Sequence, residues 1–478
     1  MALVKLLPAV SALALVACSV GPNYVPPATT AAAQAPLLAG GAPVSDAQTP
    51  GDWWKMYDDP VLDGLVADAL AANTDIRVAI SRLDRAKASL RGARSDLLPQ
   101  TTLSANPAYG RRPTIQRLPG LQREGWQVDA GLDVSYELDL SGRVRREIEA
   151  AKGDVGAAAG DVDAVRVSIV AQTIGAYVEA ASAAEQIKVA QSIVALLDRS
   201  VNITQKRFQA GRSERLDIIR LTTLADQRRA EIPPLVAQRQ AALYRLAMLT
   251  GRTPDALPTA ATVRDTTPEI RQLIPVGDGG TLLARRPDVR AAERRLAANT
   301  ARIGIATAEL YPRITLGGSV GQTSTGFSNL FGAGPLRWLL GPLISWNFPN
   351  QAAARARIAE ARADRDGSLA TFDGTVLRAL QETDTALSAY AESLNRRQAL
   401  KTAYDDAATA SRIVQARQRE GQVDFLTLLD AQRTDAEAAA ALAQSQYAVA
   451  SAQVDLFRAL GGGWQNVADA NRAGAGAN

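Results

Sequence analysis

Few residues in this 478-residue chain are equipped for covalent chemistry. It has no histidine and a single cysteine, which removes imidazole acid–base catalysis, His/Cys zinc sites and any disulfide within the chain. The cysteine stands where a different chemistry needs it. Lys5 opens an N-terminal segment whose apolar run, Leu6 to Val16, has signal-peptide length and is too short to cross a bilayer. The run ends in Leu15-Val16-Ala17-Cys18, the pattern of a bacterial lipobox. There a peptidase cuts before the cysteine, whose thiol receives a diacylglycerol and whose new amine is acylated. Cys18 is therefore read as a lipidation site and residues 1–17 as a signal peptide. Ser19, rather than Asp, follows, which favours transfer to the outer membrane, and several acyl chains anchor stably. Apart from this covalent lipid no cofactor, metal ligand or catalytic residue is assigned. No glycine-rich phosphate loop is present, and the chain is not expected to be an enzyme. The net charge of +4 carries no basic block, so nucleic acid is not an expected partner.

A second set of ionisable groups is acidic and periodic. Between Trp126 and Leu138, the residues Trp126, Val128, Ala130, Leu132, Val134, Tyr136 and Leu138 alternate with a polar series that includes Asp129, Asp133 and Glu137. Period two predicts a strand with one dry and one wet face. The pattern returns at Trp338, Leu340, Ile344, Trp346 and Phe348, with Ser345 and Asn347 opposite. Aromatics near the ends of the apolar faces suit interfacial girdles. In a signal-bearing chain without a membrane helix, such strands fit an outer-membrane barrel better than a soluble sandwich. The pleat then sends Asp129, Asp133 and Glu137 into the lumen. No lysine or arginine lies between Trp126 and Leu138, and Ser345 and Asn347 are uncharged, so rings of acid are expected to favour cations in the pore.

These strands sit inside a duplicated unit. Asp75–Leu103 aligns without a gap on Asp288–Leu316, with 11 of 29 positions identical. After a small change of offset Ser135 matches Ser345, Arg145 matches Arg355, Ile148 matches Ile358 and Gly211 matches Gly421. Each copy predicts a helix, two strands, a very long helix, a tight turn and a helix. The first helix is expected over Pro60–Leu98, stopping before Pro99. The strands are expected near Thr101–Tyr109, Trp126–Leu138, Ile314–Gln322 and Trp338–Phe348. Proline is absent from Arg143–Ala210 and Gln351–Glu420, so each predicts a helical rod on the order of 100 Å. The expected layout is a lipid anchor and extended tether over 18–52, a first repeat over 53–251, a connection over 252–280, a second repeat over 281–461 and a tail over 462–478. The fold class is an α+β membrane protein. Four strands cannot close a barrel, two chains would give a filled one, and three give twelve strands with a usable lumen.

Each long helix ends at a glycine, Gly211 or Gly421, placed for a left-handed cap, and Ser213 and Asp424 can cap the helix that follows. With these residues the chain resembles the TolC-like outer-membrane efflux proteins, in particular the NodT-type lipoprotein branch. The carriers are Cys18-Ser19-Val20-Gly21-Pro22-Asn23-Tyr24, Trp53-Trp54 through Asp59-Pro60, Arg285-Arg286-Pro287-Asp288, Leu310-Tyr311-Pro312, Arg207-Phe208-Gln209-Ala210-Gly211 and Glu420-Gly421. The resemblance implies a homotrimer with a twelve-stranded barrel and a periplasmic helical tunnel. It also implies a periplasmic adaptor, an inner-membrane pump of the resistance–nodulation–division class, and a duct lodged in outer-membrane lipid. It places the two turns at the periplasmic tips, where the channel closes. Asp217 matches a gate position and Asp430 a constriction carboxylate, while a second constriction carboxylate of the family has no counterpart because Thr427 stands there. Arg417 and Arg419 are expected to hold the resting tip shut through ion pairs. A periplasmic adaptor or coiled-coil scaffold is the competing reading, and within the channel class a type I secretion or metal-efflux duct.

The lipidation reading is open to direct test. Cys18→Ser is expected to leave an uncleaved or mislocalised precursor that takes up no labelled palmitate. Normal maturation and labelling of that variant would remove the assignment.

Overall fold

The computed structural model describes residues 19–28, 37, 41–111, 124–327 and 336–462. Cys18, the signal segment and the tail beyond Gly462 lie outside them. Both halves of the chain follow the order that the duplication predicts. The first half contains α1 (Pro60–Ala72), α2 (Thr74–Ser95), β1 (Gln100–Arg111), β2 (Glu124–Leu138), α3 (Arg143–Gln209), α4 (Arg215–Ala230) and α5 (Ile232–Leu249). A short α6 (Gly279–Arg285) leads into the second half: α7 (Pro287–Ala308), β3 (Arg313–Ser324), β4 (Leu336–Ser345), α8 (Ala352–Arg419) and α9 (Phe425–Ala459). The long helices α3 and α8 run 67 and 68 residues.

Two expected single helices are each divided. Pro60–Leu98 breaks at Asn73, whose ψ of 133° leaves the helical region. The side chain holds the break: Oδ1 accepts from the Asp75 amide at 2.9 Å and from the Ile76 amide at 3.3 Å, capping α2, and Nδ2 donates to the Leu249 carbonyl at 3.0 Å. After the first tip, α4 gives way to α5 at Glu231, with Pro233 in the first turn of α5, where a missing N–H breaks no helical bond.

The chain forms two compact units, and each draws on both copies of the repeat. The first comprises residues 1–27, 82–159 and 291–373. It contains an antiparallel four-stranded sheet in the order β1-β2-β3-β4. Beside the sheet, helices α3 and α7 approach closely at Gly153, where an added Cβ would lie 2.8 Å from that of Ala298.

The second unit comprises residues 28–81, 160–290 and 374–478 and carries the main apolar core. Trp53, almost wholly buried, stacks on Phe457 with centroids 4.3 Å apart and planes 7° from parallel. Leu62, Leu65, Ile174 and Leu246 fill the space around them. Asp59 is buried beside this core. Its carboxylate caps α1 by accepting from the Val61 amide, accepts from the Tyr177 hydroxyl at 3.0 Å and pairs with Arg264 at 3.2 Å. The connection between repeats also joins this unit through a parallel two-residue pairing of Val44–Ser45 with Ile274–Pro275. Among the described residues no helix is long and apolar enough to cross a membrane.

Asn73 should matter more than a surface cap. Asn73→Ala removes the α2 cap, worth about 1 kcal/mol, and leaves the Leu249 carbonyl without its donor, at roughly 1–3 kcal/mol. The expected result is a lower midpoint for loss of the helical circular-dichroism signal. Asn73→Asp, which keeps the cap acceptor but not the donor, should fall between the two. Equal midpoints for all three proteins would mean the break is held by packing alone.

Candidate functional site: the four-stranded sheet and the hairpin tips

The sheet separates its side chains by chemistry. Every pair in its register places two residues on the same face. Leu103 pairs with Leu132, Leu132 with Val320 and Val320 with Trp338, so one apolar face runs across all four strands. Most of that face is bare, Leu103 being 82% exposed, Trp338 74% and Leu340 76%, although Val128 near one end is buried. Aromatic residues gather near both strand ends. At one, Trp126 contacts Tyr109 at 5.6 Å and Phe327 at 5.4 Å; at the other, Trp346 stacks on Phe348 at 4.6 Å. A soluble protein rarely leaves a continuous surface of this kind uncovered. The edge strands β1 and β4 each have one hydrogen-bonded neighbour.

The opposite face carries Asp129, Asp133 and Glu137, on the side of the pleat expected for them. The expectation that they stand uncompensated is overturned for two of the three. Arg337 Nη2 lies 2.6 Å from Asp129 Oδ1, and Thr323 donates to Oδ2 at 2.8 Å. Glu137 receives Nε and Nη2 of Arg143 in a bidentate pair at 2.9 Å each, with Arg313 at 3.8 Å. Arg143 in turn pairs with Glu147 at 2.9 Å. Asp133 makes no ion pair among the described residues. Its cross-strand neighbours are Thr102 and Ser319. The arginines were missed because they come from other strands and from the head of α3. The available signal was the alternation itself: carried back one residue from Trp338, it puts Arg337 on the wet face. A second departure lies in β4, where Leu339 and Leu343 share the wet side with Arg337 and Ser345, so this strand is apolar on both faces. Asn347 falls beyond its end.

At the foot of the sheet the segment that follows Cys18 is held tightly. Val20 donates its amide to the Ser141 carbonyl at 3.0 Å. The Arg146 guanidinium is buried and donates to the carbonyls of Val20 and Gly21 and to Asn23 Oδ1, the last at 2.7 Å, while Glu149 balances its charge at 2.7 Å. Gly21, with φ of +88°, lies against Gly304; an added Cβ would stand 2.5 Å from the Gly304 Cα. The Tyr24 hydroxyl donates to Glu293 at 2.9 Å, and burial together with that carboxylate pushes it well above the usual tyrosine range. The residues after Cys18 are thus fixed beside the junction of β2 and α3. This is a packing role that the Val-Gly-Pro-Asn-Tyr string alone did not reveal.

The two hairpin tips end in the same way. Gly211 and Gly421 have φ of +70° and +71°. The following amide reaches back five residues, Arg212 to the Arg207 carbonyl at 2.8 Å and Gln422 to Arg417 at 2.9 Å, the bond that closes a Schellman cap. The helices that leave the tips start differently. Asp424 caps α9 by accepting from the Thr427 amide at 2.8 Å; hydrogen bonds from the Thr427 side chain and amide hold its carboxyl below the usual carboxylate range. In the first tip Ser213 is not the cap. Glu214 occupies the N-cap position, and Asp217 reaches back to accept from the Glu214 amide at 3.2 Å and from the Ser213 hydroxyl at 3.1 Å. Asp430 pairs with Arg433 at 2.8 Å on its own helix. Arg417 and Arg419 are exposed and form no ion pair among the described residues.

Sequence reasoning missed the cross-links behind the tips. Leu197 on α3 packs with Leu221 and Leu224 on α4, and Phe425 and Leu429 on α9 close over them. Gln432 donates to the Ser200 hydroxyl at 2.9 Å, and Arg228 pairs with Glu437 and Arg229 with Asp198 at 3.0 Å. These partners lie on different helices, so helical spacing carries no signal for them.

Comparison with known proteins agrees with this architecture. The "Outer membrane efflux protein" family matches residues 65–252 and again residues 280–462, one match in each repeat. Nodulation protein T of Rhizobium leguminosarum bv. trifolii is 30% identical over 461 residues, covering 96% of this chain and 97% of that protein. Outer membrane protein OprJ of Pseudomonas aeruginosa is 32% identical over 459 residues, covering 95% and 94%. Among solved structures, the outer-membrane channel OprN superposes with a TM-score of 0.87 at 36% identity, covering 94% of this chain and 100% of that one. The open-state MtrE channel of Neisseria gonorrhoeae superposes with a TM-score of 0.81 at 28% identity, covering 94% and 99%. With both repeats matched and nearly the full length shared, the chain belongs to the outer membrane efflux protein family.

Proposed function

We propose that three copies of this chain close a twelve-stranded barrel and form a passive, gated exit duct for small molecules such as drugs. The observation that carries the proposal is the sheet: one apolar face exposed across four strands, with a free edge at each side. In hydrocarbon every backbone N–H and C=O needs a partner, so the edges must meet edges of other chains. Trp126 and Tyr136 are ten residues apart on β2, roughly 34 Å along the strand; at a barrel tilt of about 40–45° this spans about 25 Å, the height of an outer-membrane apolar band.

In this reading the lipid on Cys18 anchors the duct in outer-membrane lipid, with the neighbouring residues clamped by Arg146. The free hairpin tips meet a periplasmic adaptor and, through it, an inner-membrane pump of the resistance–nodulation–division class. No bond is made or broken. The pump supplies the energy and selects the cargo, and this chain supplies a conduit whose tip shifts between closed and open populations. Arg417 and Arg419, exposed and without an ion pair among the described residues, are the groups available to pair across chains with carboxylates such as Asp217 and Asp430. Each exposed pair is worth only about 0–1 kcal/mol, so several together make a closure that adaptor binding can undo.

Native mass spectrometry in detergent should give three copies, and planar bilayers should record discrete conductance steps. A stable monomer or dimer would sink the twelve-stranded barrel. Replacing Arg417 and Arg419 with Ser should raise conductance, and Asp430→Ala should weaken block by divalent cations. If neither variant changes its property, the tip is closed by packing rather than charge.

A further inference from the structure

The wet face of the sheet holds a charge pair whose geometry is built rather than incidental. Arg337 in β4 pairs across the ladder with Gly321 in β3, and Gly321 pairs with Gly131 in β2. All three share one face, and Asp129 lies two residues from Gly131 on that same face. To reach Asp129, the Arg337 side chain crosses the lane left open by the two glycines. A Cβ on Gly131 would stand 3.4 Å from Arg337 Nη2 and 3.2 Å from the Val320 carbonyl, and one on Gly321 would stand 2.6 Å from the Ala130 carbonyl. Thr323 completes the arrangement, donating to Asp129 at 2.8 Å and accepting from Arg337 Nε at 3.1 Å. Further along the face, Glu137 is met by Arg143 and Arg313. Asp133 remains, flanked by Thr102 and Ser319.

We propose that Arg337 determines the ion preference of the lumen, by cancelling Asp129 through the glycine lane and leaving Asp133 as the acid that biases passage. The proposal rests on the reading that this sheet lines a trimeric pore, in which each such group recurs three times. A closed ion pair presents a short dipole to a passing ion, whereas a lone carboxylate presents a full charge. The wild-type lumen therefore carries a weak cation bias from Asp133 in place of the strong one that three free acids would give. Removing the arginine releases Asp129 and strengthens the bias; removing the aspartate releases Arg337 and opposes it.

The test uses the full-length, acylated trimer in planar bilayers. Reversal potentials are read in a potassium chloride gradient at low salt, where the Debye length is roughly 30 Å at 0.01 M and not the 3 Å of 1 M. Arg337→Gln should shift the potential toward the potassium equilibrium value, Asp129→Asn should shift it toward that of chloride, and the double variant should return to wild type. Arg337→Lys, which keeps the charge, should stay near wild type. A local readout avoids any influence of the tips. Arg337→Cys places a thiol in a chain whose only cysteine is Cys18. A cationic methanethiosulfonate should modify it faster than an anionic one, and adding Asp129→Asn should bring the two rates together. Variants that conduct with wild-type reversal potentials, or a rate ratio indifferent to Asp129, would overturn the role of Arg337 while leaving the channel reading intact. Wild-type protein with no conductance steps would overturn the channel reading and this inference with it.

Discussion

A β-sheet can present a bare apolar face to lipid but not bare edges, and the rest of this protein is arranged around that fact. Each chain supplies four antiparallel strands whose ladder is complete inside the sheet and open at β1 and β4. In hydrocarbon an unpaired backbone group costs several kcal/mol, since no water is there to replace the missing partner. The edge requirement is thus far stronger than any single side-chain contact. In the proposed assembly it is met by other copies of the chain, and the oligomer is a condition of insertion rather than an addition to a finished fold.

The same constraint explains why charge appears where it does. On the apolar face, described residues of the strand interiors are apolar or small apart from Gln322, and the aromatics sit near the strand ends, as they do where polar and apolar phases meet. On the wet side acids occur, but Asp129 and Glu137 each hold an arginine in hydrogen-bond contact. A pair of this kind contributes little to stability when solvated. In the proposed pore its larger effect is on the field inside the lumen, where isolated carboxylates would concentrate one sign of ion. The glycines at 131 and 321 weaken the strands locally but let a long side chain lie flat across the sheet. That trade is understandable if the field, not the strand, is what the position serves.

The helical part follows a different rule. Both tips use a left-handed glycine and an amide that reaches back five residues, so the two hairpins turn in the same way. They differ in how the outgoing helix starts. Asp217 and Thr427 occupy matching positions, as do Glu214 and Asp424, and the capping acid has moved from one position to the other. Two acids at the tips therefore have local duties: Asp217 and Asp424 satisfy amides that would otherwise be orphaned. Behind the tips, Arg229 with Asp198 ties the two helices of the first hairpin, and Arg228 with Glu437 ties that hairpin to α9, far away in sequence.

How much of this was legible in the sequence depends on the range of the interaction concerned. Alternation over Trp126–Leu138, the proline-free stretches after Gly142 and Gln351, and the glycines at 211 and 421 report local backbone geometry, which neighbouring residues largely dictate. The strands, long helices and tips were accordingly found close to their observed bounds. The duplication was equally visible, because it is a property of the string itself. What the sequence did not reveal lies across the ladder or between helices. Asn73 breaks a helix whose periodicity runs on, because its amide has a partner at Leu249, and Arg337 meets Asp129 through a register that only the paired strands fix. Arg146 reads the carbonyls of residues more than a hundred positions away. Local propensity and pattern cannot encode such contacts, since their partners are chosen by folding rather than by spacing, and they exist only once the tertiary structure has brought the segments together.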